Sequence, residues 1–62
     1  MHFSDGIHYP AVRDGWVTSF QVMGHNPDGT FDIRWLEGSI SSARKVDMVE
    51  WVEAYESLHK KY

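Results

Sequence analysis

The chain has 62 residues, with six Lys+Arg against nine Asp+Glu for a formal charge of −3, and no cysteine. One domain of this size buries only about 60% of the surface its unfolded chain exposes, and the lack of cysteine excludes a disulfide framework or a thiolate metal site. The basic residues are scattered apart from Arg44-Lys45 and Lys60-Lys61, which argues against a duplex-DNA binder, since phosphate neutralisation needs a basic stripe.

Three Trp, three Tyr and three Phe must supply the core instead, each large ring burying about 150–250 Å². Met1 to Gly6 has neither a basic region nor an apolar run, so no signal peptide and no membrane span are expected. With the lack of cysteine, which fits a reducing compartment, the expected setting is soluble and cytoplasmic.

Residues 1–15 read as extended chain and turns. Phe3, Ile7 and Tyr9 stand at near-alternating positions, and Pro10 disfavours helix at Tyr9. A short edge strand over Ile7 to Tyr9 is predicted, followed by a turn at Arg13-Asp14-Gly15.

Residues 16–36 predict a hairpin: Trp16 to Met23 and Thr30 to Leu36, joined through Asn26-Pro27-Asp28-Gly29. Pro27 presets the second position of a type I turn and Gly29 supplies the positive φ that closes it. A three-residue loop would set Asn26 across from Thr30 and split the apolar residues between faces. Shifting by one, so that His25 faces Thr30, pairs Phe20 with Trp35 and Val22 with Ile33. One face then gathers Trp16, Phe20, Val22, Phe31, Ile33 and Trp35. A one-residue slip exchanges every side chain between faces, so the apolar pattern selects the second register, with Gly24 suited to an adjusting bulge. Val17, Met23 and Leu36 fall on the other, half-polar face.

Glu37-Gly38-Ser39 is a turn signal, and Ile40 to Arg44 fits either a third strand or a loop. Residues 47–61 predict a helix. Asp47 is placed to cap it and Glu50 to complete a capping box. Met48, Trp51, Val52, Tyr55, Leu58 and Tyr62 recur at helical spacing as one apolar stripe, and Lys60-Lys61 complements the dipole at the end. The expectation is one domain, mainly β, with about three antiparallel strands closed by a C-terminal helix.

The stretch Asp28-Gly29-Thr30-Phe31-Asp32-Ile33-Arg34-Trp35-Leu36-Glu37-Gly38-Ser39 resembles the hairpin of Tudor-like domains, and its continuation into an amphipathic helix is similar to chromo-like domains. Both belong to the SH3-like small barrels, so the resemblance implies a curved sheet or partial barrel. It also implies a binding module, often one that holds a methylated side chain in an aromatic cage. The aromatic residue that chromo-like domains place on the third strand has no counterpart between Ile40 and Val46. Tyr9, Trp16 and Trp35 are the residues left to line a cage, and the hairpin register assigns both Trp to the core.

No catalytic, metal or cofactor site emerges. His2, His8, His25 and His59 lie far apart without the close spacing of metal ligands. Asp5, Asp14, Asp28 and Asp47 each have a turn or cap role, while Glu50, Glu53 and Glu56 read as a solvated helix face. A non-enzymatic interaction module is therefore expected, binding a protein or peptide through the sheet edge near Ile7 to Tyr9 or through an aromatic surface of Tyr9, Trp16, Trp35, Trp51 and Tyr55. Its size suits a regulator or inhibitor of phage or mobile-element type. The alternatives are single-stranded DNA or RNA stacked on the aromatics, with Arg13, Arg34, Arg44 and Lys45 on the backbone, and a subunit of a homodimer or larger homo-oligomer.

Overall fold

A computed structural model describes residues 1–60. Four strands precede one helix: β1 (His8–Arg13), β2 (Trp16–His25), β3 (Thr30–Trp35), β4 (Ile40–Arg44) and α1 (Lys45–Leu58). The strands form one antiparallel sheet in the order β1-β2-β3-β4. That is one strand more than the sequence pattern predicts.

The edge strand expected over Ile7 to Tyr9 is β1, which starts at His8 and extends past Pro10 to Arg13, and Ile40 to Arg44 is a strand rather than a loop. Val22 donates its N–H to the Ile7 carbonyl at 3.1 Å, so antiparallel alternation aims Tyr9, Ala11 and Arg13 at β2 and leaves Pro10 facing the free edge. A proline there loses no ladder hydrogen bond. On the opposite edge, the bond from Trp35 N–H to the Ser39 carbonyl sets the alternation that turns the backbone of Ile40 and Ser42 outward.

Both hairpin registers weighed from the sequence occur, in succession. At the tip, Asn26 N–H donates to the Thr30 carbonyl at 2.8 Å and His25 faces Phe31 rather than Thr30. Between Val22 and Gly24 the register shifts, and beyond that point Val22 pairs with Ile33 and Phe20 with Trp35. A bulge thus lets the loop keep its preferred length while the apolar residues share a face.

The same loop type recurs between β3 and β4. Gly29 N–H bonds to the Asn26 carbonyl and Gly38 N–H to the Trp35 carbonyl, with φ of +91° and +104°. In each loop the acid before the glycine accepts from the hydroxyl residue after it, Asp28 from Thr30 and Glu37 from Ser39.

Valine at position 29 meets open space but not a tolerable backbone, so Gly29→Val is expected to destabilise by about 1–3 kcal/mol. An unchanged thermal midpoint would contradict the turn. Hydrogen bonds from the backbone and hydroxyl of Thr30 also hold the Asp28 carboxyl below its ordinary pKa. Its ionised form therefore favours the fold above the unfolded-chain pKa, and that contribution is lost as pH falls through the lower folded value. The melting temperature of Asp28→Asn should consequently fall less steeply than wild type between about pH 5 and about pH 2; equal slopes would contradict it.

The core lies between the sheet and α1. Ala11, Phe20, Val22, Ile33, Trp35 and Ala43 meet Met48 and Val52 of the helix, and Phe3 folds back from the N-terminus to fill the same space. The Phe3 ring stands 4.9 Å from Tyr9 in an edge-to-face arrangement. Trp35 buries its indole but keeps its N–H satisfied, donating to Ser41 Oγ at 3.0 Å.

Two placements correct the sequence pattern. Trp16 has the parity of the core face but is 76% exposed, because it sits at the end of the sheet where, among the described residues, nothing packs over it. The helix begins at Lys45, not Asp47, with Arg44 as N-cap and no side-chain cap bond. β4 runs directly into the helix, and Asp47 in the first turn instead binds the Arg44 guanidinium at 3.1 and 3.3 Å, holding that guanidinium's pKa above its ordinary value. The described helix ends at Leu58 with no basic residue in its last turn, and the Lys61 and Tyr62 positions of the expected helix end lie outside the described residues.

Candidate functional site

Asp14 and Gly15 join β1 to β2, with φ of +53° and +81°. Two consecutive left-handed residues make the tight turn that matches strand twist, and they set Arg13 directly across from Trp16. Arg13 folds inward. Its guanidinium carbon lies 4.2 Å from the centroid of the Trp35 ring, a cation–π contact that covers the open end of the core. Trp16, its cross-strand partner, stays in solvent.

Between them lies a depression of about 200 Å³, lined by Arg13, Asp14, Trp16, Thr18, Trp35 and Glu37. The Ser39 hydroxyl, with a lesser contribution from the Arg13 charge, holds the Glu37 carboxyl below its ordinary pKa. Asp14 lies 3.7 Å from the Arg13 Nε. The site therefore offers an indole face beside a guanidinium and two carboxylates on a rigid hairpin. Among the described residues, no hydrogen bond joins Thr18 to either carboxylate.

The five aromatic residues expected at a binding surface divide. Trp35 is only 3% exposed and contributes to the depression as its floor. Half-buried Trp51 packs against it at 5.1 Å and against Phe20 at 6.4 Å. Tyr9 is committed to Phe3 and Phe20, its hydroxyl accepting from Ser4 N–H at 2.8 Å. Tyr55 lies along the helix, its ring 4.5 Å from His59. Only Trp16 presents most of its surface. The four basic residues do not form one stripe: Arg13 lies on Trp35, Arg44 on Asp47, Arg34 on the outer sheet face and Lys45 at the helix start.

Among the described residues nothing covers the outer face of the sheet. Val17 and Leu36 are 61% and 74% exposed there, Ile40 is exposed to a similar degree and Met23 somewhat less. A second depression of about 340 Å³ opens on this side, bounded by His8, Ser19, Gln21, Arg34, Leu36 and Glu37. The Asp14-Gly15 pair carried the signal for the Arg13 and Trp16 placement, since that dipeptide between extended segments specifies a two-residue hairpin. No sequence signal marked Arg13 as the partner of Trp35.

Fold and site together define a small antiparallel sheet with a C-terminal helix over one face and an open second face. No family model, curated protein or solved structure matches the chain. No helix among the described residues is long and apolar enough to cross a membrane.

Proposed function

We propose that the chain is a non-catalytic docking module, of the SH3-like and chromo-like kind, which takes a cytoplasmic protein or peptide partner against Trp16 and the depression beside it. The observation that carries this reading is the exposure of Trp16 on a rigid strand while the other two Trp are packed. Trp is among the residue types that most often dominate binding hot spots, where it is packed and desolvated at the centre of an interface. The likeness to chromo-like domains rests on the antiparallel sheet and its helix, which follows β4 and packs chiefly against β1.

Immobilised wild-type chain and its Trp16→Ala variant, exposed in parallel to extract from the source cells, test the reading. A protein retained by the wild type and lost with the variant supports it. Identical retained sets, or none, contradict it.

A further inference from the structure

The reading of a docking module leaves one face of the sheet unexplained. Cross-strand register places His8, Gln21 and Arg34 in one row on that face, along the depression that Leu36 and Glu37 bound at its far side. Arg34 is exposed, and among the described residues no carboxylate lies within salt-bridge distance of it; its side-chain contact is the Met23 sulfur at 3.7 Å. The nearest acid along β3 on the same face, Asp32, already accepts from Asn26 at 3.1 Å and from Ser42 at 3.2 Å. The other arginines, Arg13 and Arg44, have acidic neighbours.

An unpaired guanidinium beside exposed Leu36 is complementary to a carboxylate flanked by apolar groups, because two charge-assisted hydrogen bonds then form where solvent is displaced by side chains. Glu37, kept ionised by Ser39, repels a second acid at the other end. We propose that this groove takes an extended segment of a protein partner that carries a single acidic side chain, received by Arg34, between apolar side chains that cover Leu36. The segment lies over the sheet face, so its selectivity comes from side chains and not from strand addition. This extends the docking module to a second face and rests on that reading for its biological partner, although the groove is testable alone.

The probes are three acetylated, amidated peptides, Leu-Glu-Leu-Lys-Leu and its counterparts with Gln or Lys in place of Glu, titrated at low ionic strength and followed by amide NMR shifts. The Glu peptide is expected to move the signals of Gln21, Arg34 and Leu36 and to bind about fivefold or more tighter than the Gln peptide, with the Lys peptide weakest. Arg34→Gln should remove that discrimination with the fold intact in the same spectra, while Glu53→Gln, an exposed charge on α1 outside both depressions, should leave it unchanged. Equal binding of Glu and Gln peptides, shifts confined to the Trp16 end, or no shift at millimolar peptide would overturn the proposal. Discrimination at Arg34 without any partner held through Trp16 would instead sink the Trp16 reading alone.

Discussion

Phe20→Ala is expected to lose about 3–5 kcal/mol, the usual cost of deleting a fully buried ring. Phe20 is 1% exposed and its ring meets four others: Trp35 at 5.6 Å, Tyr9 at 5.7 Å, Phe3 at 6.0 Å and Trp51 at 6.4 Å. Among the described residues it is the one ring joining the N-terminal segment, the central strands and the helix. A domain of this length has a total stability of about 3–9 kcal/mol, so the variant should lack a cooperative thermal transition or melt near room temperature. Phe20→Leu, which leaves a smaller void, should retain a transition at reduced temperature. A midpoint for Phe20→Ala within about 5 °C of wild type, measured by circular dichroism, would show that the core is not centred where the rings meet; a shift that small corresponds to only about 1 kcal/mol.

Trp16→Ala is expected to have the opposite profile. Its indole is mostly in solvent, so stability should change by less than about 1 kcal/mol. Affinity for the captured partner should fall by about 2 kcal/mol or more, roughly 30-fold, as for a hot-spot residue. Trp35→Ala should lose both stability and binding, since Trp35 is core on one side and the floor beneath Arg13 on the other. Calorimetric titration beside thermal melting separates the two variants. Loss of stability without loss of affinity in Trp16→Ala would place the indole in the fold and not in the interface.

The central hairpin was legible because two local signals agreed, the turn chemistry of Asn26-Pro27-Asp28-Gly29 and the apolar alternation around Phe20 and Ile33. Their one-residue conflict was itself informative, and the chain resolves it with the register shift before Gly24. Trp16 shows where such reasoning stops. Period-two alternation tells which face a side chain takes, but not whether anything lies above that face, and at the end of the sheet nothing among the described residues covers the indole.

β4 was obscure for a packing reason. Ser41 and Ala43 are small because they stand opposite Ile33 and Phe31 and, at Ser41, because the Trp35 indole reaches over to bond its hydroxyl. Hydrophobic patterning has little to detect in such a strand. β1 was read too short because Pro10 argues against a strand until the edge it faces is known. The helix start was displaced by two residues because Asp47 has the chemistry of a cap, while its observed partner is the Arg44 side chain. The unpaired state of Arg34 was not legible at all, since it depends on Asp32 being engaged by residues from two other segments.

Amide hydrogen exchange of the chain with and without its captured partner tests the docking reading most directly. Binding through the Trp16 end predicts new protection across Arg13 to Thr18 and Leu36 to Gly38, where the two loops meet the depression. Protection confined to the solvent side of α1, with the Arg13 to Thr18 amides exchanging as in the free chain, would contradict it.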